Sequence, residues 1–244
     1  MVGDPPINWG QANTNHGVKY FFRWKNVVFC IYLQYKEFAI KSKNDMKRVE
    51  QIIGVVAIVG IVFKLFLLPG GSILAILGLT SLSVFHYAFS FTIFNGIQLG
   101  NIFNKQSYKD TNVFRIAVSV LIGIALSITI IGGLFKLQLW TGSNFQMMLG
   151  LGVLGTILPI AIFFYFRTKA EFYSRVIKRV AFYGGLGLIL FITPKDSIVD
   201  FYYGRNPEYA ELFKKTLAEP ENKELEEQLK QMRKDIRERD SAEE

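Results

Sequence analysis

Hydrophobic and polar positions along this chain fall in long blocks, not in the alternating or 3.6-residue rhythm of half-buried elements. No Asp or Glu occurs between Gln51 and Lys109, and none between Thr111 and Ala170. A surface facing water needs charge, so two carboxylate-free stretches of this length point to lipid as the solvent. Crossing ~30 Å of hydrocarbon takes ~20 apolar residues in a helix. The blocks predict spans at 51–68, 73–91, 116–135 and 145–166. A fifth block, 180–193, lies between Arg179 and Pro194 and is short. It is read as a short fifth span, with an interfacial or re-entrant helix as the alternative. The fold class is all-α: a polytopic membrane protein of two helical hairpins, the short fifth span and a charged helical tail.

The blocks also repeat. "GIVFKLFLLPGGSILAILGLT" at 60–80 and "GGLFKLQLWTGSNFQMMLGLG" at 132–152 are similar at an offset of 72. Residues 52–82 align on 124–154 without a gap, with 12 identities in 31 positions. Apolar composition inflates such matches, but it does not explain Gly60/Gly132, Phe63-Lys64/Phe135-Lys136, Gly70/Gly142 or Gly78/Gly150. Each unit reads as span, turn, span. Two copies with the same sense form a parallel repeat, related by an axis along the membrane normal. Small residues suit the packing: Ser119, Gly123 and Ser127 recur every four residues, as do Gly152 and Thr156. Pro159 falls inside the fourth span, where neighbouring helices satisfy the freed carbonyl.

Charge sets the orientation. The chain has a net charge of +8, split into +12 over residues 1–205 and −4 over residues 206–244. Lys and Arg gather before the first span (Lys36, Lys41, Lys43, Lys47, Arg48), between spans two and three (Lys105, Lys109, Arg115), and after span four (Arg167, Lys169, Arg175, Lys178, Arg179). The turns "PGGS" and "WTGSN" are uncharged. The positive-inside rule therefore makes the N-terminus and long loops cytoplasmic and both turns outward. The tail lies outside if the fifth helix spans, and inside if it re-enters. Basic residues beside spans match anionic lipid and call for no nucleic acid.

The segment 1–50 mixes aromatics with Lys and Arg in "KYFFRWKNVVFCIYLQYKEF" and contains no clean span or secretory signal. It reads as an interfacial amphipathic segment, or as sequence upstream of a true start at Met46. The transmembrane domain is 51–193 and the tail 194–244. In the tail, a break at Glu219-Pro220 predicts two helices, with Pro207 and Pro220 each in a first turn. Leu225, Leu229, Met232 and Ile236 share one face of the second and form its candidate contact surface.

Lys64 and Lys136 are the candidate functional or anchoring pair. Each sits four or five residues, ~6–8 Å, inside an outward turn. A lysine stem reaches that far and can place its ammonium among headgroups. The alternative is a symmetric polar pocket holding an anion or a partner's carboxylate. Pro69, Gly70 and Gly142 are turn residues, and Gly78 and Gly150 packing residues. His86 is read as a packing histidine, since no carboxylate occurs in the four spans. A lone Cys30 and two scattered histidines make no zinc site. No nucleotide loop, nucleophile motif or pair of catalytic carboxylates appears, so neither cofactor nor enzymatic activity is expected.

Gly60, Phe63-Lys64, Pro69-Gly70 and Leu77-Gly78-Leu79 in the first copy carry a resemblance. Gly132, Phe135-Lys136, Trp140, Gly142 and Leu149-Gly150-Leu151 carry it in the second. They resemble the hairpin of GldL-type proteins, the inner-membrane subunit of the gliding-motility and type IX secretion motor. They are also similar to multi-span proteins of the same bacteria that duplicate the hairpin. The turn histidine of that motif is replaced here by Leu68 and Leu139. The resemblance implies a membrane-embedded helical scaffold that associates with itself or with other membrane proteins. The expected function is thus a non-enzymatic, multi-pass scaffold or assembly component of the bacterial inner membrane, in contact with lipids. A small anion transporter or channel is the second reading, and a motility or secretion motor component the third.

Overall fold

The computed structural model describes residues 46–97, 102–109 and 111–242. The readings of the segment before Met46 lie outside them. Among the described residues the secondary structure is helical, without strands. Eight helices carry the fold: α1 Met46–Leu65, α2 Gly71–Asn95, α3 Val113–Leu137, α4 Ser143–Thr168, α5 Glu171–Ile192, α6 Lys195–Tyr203, α7 Pro207–Ala218 and α8 Lys223–Ala242. A 3₁₀ turn, Lys105–Tyr108, interrupts the α2–α3 connection. Among the described residues three helices, α2, α3 and α4, are long and apolar enough to cross a membrane. The 20-residue α1 carries Lys47, Arg48 and Glu50 near one end and Lys64 at the other, and is not among them.

Both hairpin turns are built the same way. Each preceding helix ends with a leucine in the left-handed region, Leu67 at φ 53° and Leu139 at φ 59°. The amides of Leu68 and Trp140 reach back to the carbonyls of Phe63 and Phe135, at 2.9 and 2.8 Å. Those of Leu67 and Leu139 donate to Lys64 and Lys136, both at 3.1 Å. This is the Schellman closure, which satisfies the orphan carbonyls of a helix end. It ends α1 at Leu65, short of the expected 68. Gly70 and Gly142, at φ 80° and 79°, then reverse the chain into α2 and α4. Pro69 lies in the first turn.

Small residues let the helices touch. A Cβ on Gly78 would stand 2.6 Å from the Ala57 backbone, and one on Gly150 2.2 Å from Thr129 Oγ1. The α3 stripe faces α2: Ser127 and Ser83 hydroxyls are 2.6 Å apart, Ser119 accepts from Asn95 at 3.1 Å, and Gly123 abuts Ser90. The expected second stripe does not pack within the chain. Nothing comes within 4 Å of a Cβ on Gly152, and Thr156 is exposed, bonding its own helix at Val153. It lies on α4, of which only 22% of the apolar stretch is buried, against 56% for α3. The central helix is therefore α3, with most of the apolar surface of α4 left uncovered by the described residues. Two cores flank α3, one around Leu126, Leu154 and Val176, the other around Leu82, Leu134 and Leu137.

The predicted fifth block is the second half of a longer helix. Arg115 lies over the Phe172 ring at 4.6 Å near the start of α5, and Lys136 donates to the Phe191 carbonyl near its end. The helix thus runs beside α3 from one end of the bundle to the other. A π turn at Val180–Gly184 interrupts it. At Thr193-Pro194 the axis bends by 82° into α6, as expected where proline cannot extend a helix.

Candidate functional site

Polar side chains gather at the two ends of the bundle. At the turn end, Lys64 donates to Ser72 Oγ at 2.8 Å, and Lys136 to Asn144 Oδ1 at 2.9 Å. Each lysine thus reaches across its own turn to the residue eight positions on. Both lie beside the turns, where the sequence put them, but their surroundings differ from free headgroups. Lys136 is 1% exposed and also donates to Phe191 O at 3.0 Å. Lys64 is half-buried, 5.1 Å from the centre of the Tyr202 ring. The snorkelling geometry is corrected for Lys136: the α5–α6 corner covers it, and protein carbonyl and amide oxygens replace lipid and water around its ammonium.

That corner is hydrogen-bonded to the second turn and meets the first through Lys64 over the Tyr202 ring, while a bond from Gln138 links the two turns to each other. Tyr202 donates to Leu137 O at 3.1 Å, Lys195 to Trp140 O at 3.1 Å, and Gln138 Nε2 to Ser72 O at 3.2 Å. Beneath these bonds Leu139, Ile198, Val199, Tyr202 and Ala210 form an apolar cluster. Burial holds the Lys195 ammonium below its usual pKa. Burial, with Tyr203 adding to it, pushes the Tyr202 phenol up to about 12, so it stays a donor at neutral pH.

The tail continues from this platform. Lys214 of α7 pairs with Asp200 of α6 at 2.7 Å and with Glu211 at 2.9 Å. Hydrogen bonds to these two carboxylates hold its ammonium above the usual lysine range. Helix α8 folds back on α7, with Leu229 buried and Leu225, Met232 and Ile236 half-buried. The guanidinium of Arg233 donates to Tyr209 Oη at 3.0 Å. The predicted apolar face is thus used to close a helical hairpin in the chain itself. Pro220 stands in the link and not in the first turn of α8, which Asn222 caps through the Glu224 amide at 3.2 Å.

The opposite end holds a constellation that sequence reasoning missed. Glu50, 6% exposed on α1, takes two hydrogen bonds from Arg179 Nε, at 2.9 and 3.0 Å, and another from Nη2. His86, fully buried on α2, brings Nε2 to 3.4 Å from Glu50 Oε1, while its Nδ1 lies 2.9 Å from Leu82 O. Tyr183 completes the set, its hydroxyl 3.4 Å from Oε1 and its ring edge-on to His86 at 4.8 Å. His86 therefore has the carboxylate partner that the apolar spans lack; it comes from one residue before the acid-free run begins. The π turn carries Tyr183. Arg179 lies four residues earlier on the same face of the helix, so both side chains bear on one carboxylate.

Arg179 is itself part of a larger basic surface. With Lys47, Arg175 and Lys178 it lines a cavity of about 500 Å³ between the start of α1, the end of α2 and the first turns of α5. Arg175 pairs with Glu171 and reaches Phe94 O at 3.4 Å. Among the described residues, no group of three His, Cys, Asp or Glu side chains is placed to hold a metal ion.

No family model, curated protein or solved structure matches this chain, so its geometry carries the functional reading.

Proposed function

We propose that this chain is a non-enzymatic integral protein of the bacterial inner membrane, a helical scaffold that holds a charged helical hairpin, α7–α8, at one face of the bilayer. The observation that carries the reading is the fastening of the α5–α6 corner to the second hairpin turn, with Lys64 of the first lying over the Tyr202 ring. Tyr202, Lys195 and Lys136 spend their hydrogen-bonding capacity on that junction. A tail needed only for solubility has no use for buried donors at its root; one that must transmit position does.

The two hairpins are read as copies of one unit. Their left-handed leucines and glycines, turn hydrogen bonds and lysine contacts all recur at an offset of 72. The fifth helix is read as a span, because it accompanies α3 from Arg115 to Lys136. With loops rich in Lys and Arg in the cytoplasm, the tail then lies on the other side, among partners there or further copies of the chain. The hairpin resemblance to GldL-type proteins fits an assembly role.

Photo-cross-linking in cells tests this. A benzoylphenylalanine at exposed positions of α8, such as Glu227 or Gln231, should trap a discrete protein adduct, either a second copy or a membrane-associated partner. Adducts to lipid alone would sink the scaffold reading. Anion uptake into proteoliposomes that depends on Lys64 and Lys136 would instead favour a transporter.

A further inference from the structure

The cavity beside the Glu50 clamp is electrostatically one-sided. Four cations line it, Lys47, Arg175, Lys178 and Arg179, against the single carboxylate of Glu171. Counting Glu50 behind Arg179, two positive charges remain uncompensated. Its volume lies within the ~300–1,000 Å³ of small-molecule sites. We propose that this cavity is a binding site for a phosphate-bearing anion, of the kind carried by an anionic lipid headgroup or by a free phosphate compound.

The arrangement is prepared for such a ligand. Glu50 fixes the Arg179 guanidinium, and Glu171 with the Phe94 carbonyl fixes that of Arg175. Guanidiniums held in place lose less entropy on meeting a phosphate than free ones do. Gly96, at φ 72°, ends α2 directly against Arg175; a Cβ there would stand 2.2 Å from Nη1. A glycine at that point leaves the guanidinium its room. Lys47 and Lys178 are exposed on either side and supply mobile point charges. The remaining wall includes Ile93 and Ile97, apolar surface that suits the glycerol and first methylenes of a lipid. A basic pocket between helix ends, at the level of a headgroup, is a common form of lipid recognition.

The test uses the full chain purified in a neutral detergent. One arm offers short-chain phosphatidylglycerol or phosphatidic acid in the micelles, with phosphatidylcholine as control. The other offers inorganic phosphate or glycerol 3-phosphate in the buffer. Binding is read by native mass spectrometry and by the shift in melting temperature. The Lys47→Gln/Lys178→Gln variant leaves the Glu50 clamp intact and should lose about 10- to 30-fold in affinity, the worth of two headgroup-level lysines. Lys47→Arg/Lys178→Arg should retain binding. Lys105→Gln/Lys109→Gln removes the same charge from the α2–α3 connection and should change affinity less than about twofold. Loss confined to the lipid arm identifies a headgroup as the source, and loss in the soluble arm a free anion; either supports the site. Equal losses in the two Gln double variants would reduce the effect to bulk surface charge and overturn the proposal. So would binding that survives Lys47→Gln/Lys178→Gln, or the absence of binding to every probe.

Discussion

At the scale of single residues, the largest stakes are at Glu50. Its carboxylate is buried against Arg179 and His86, and a buried pair contributes little net stability while intact, because desolvation offsets attraction. Breaking it is another matter. Glu50→Gln leaves a guanidinium inside the bundle without its anion and should destabilise by about 3–5 kcal/mol, measured as unfolding by denaturant in mixed micelles. The paired change Glu50→Leu/Arg179→Leu removes both charges and should recover most of that loss. If the single variant melts like the parent, the clamp is not a fastening. The sequence pointed to Lys64 and Lys136 and passed over Glu50. A lysine inside an apolar run advertises itself by contrast, whereas a glutamate one residue before the run reads as an ordinary loop charge. Nothing in the residue order says that α5 will lay Arg179 beside it.

At the scale of elements, the turns show a contest that magnitudes decide. Leu67 and Leu139 both occupy the left-handed region, which costs a non-glycine residue about 1–2 kcal/mol. Leu67 is 54% exposed, while Leu139 is 6% exposed within the α6 cluster. Burying a leucine side chain contributes about 1.5–3 kcal/mol. Leu67→Gly should therefore stabilise by up to about 1 kcal/mol, whereas Leu139→Gly should destabilise. Thermal melts of the two variants check this: destabilisation in both would show that packing controls the turns, and stabilisation in both that backbone strain does. Helix positions were legible from apolar blocks, and turn positions from Pro69, Gly70 and Gly142. The exact ends were not, because a Schellman closure stops a helix by backbone hydrogen bonds, which the amide of any residue but proline can donate and no side chain announces. The π turn of α5 left no trace in composition.

At the scale of the whole molecule, the side of the tail separates the readings of the fifth helix. In a Cys30→Ser background, Gln106→Cys in the α2–α3 connection and Gln231→Cys on α8 place one thiol on each region. Impermeant maleimide applied to spheroplasts should label position 231 at once and position 106 only after permeabilisation. Labelling of neither before permeabilisation would leave α5 as a re-entrant element and return the tail to the cytoplasmic side, and labelling of both would put the α2–α3 connection outside and overturn the orientation.

By itself the sequence determined the all-helical class, the apolar blocks from which the long helices form and the place of the hairpin turns. Those follow from local chemistry: apolar length against bilayer thickness, and glycine or proline where the chain must reverse. Tertiary structure alone decided which charges meet. Glu50, His86 and Arg179 come from α1, α2 and α5, separated by 36 and 93 residues, and their pairing depends on how three helices rotate about their axes. The same holds for Lys136, whose ammonium meets the Phe191 carbonyl of α5, 55 residues further along the chain. Hydrophobic matching to a bilayer constrains each helix along one axis only; rotation and neighbour choice come from small-residue contacts, and those exist only once the helices are packed.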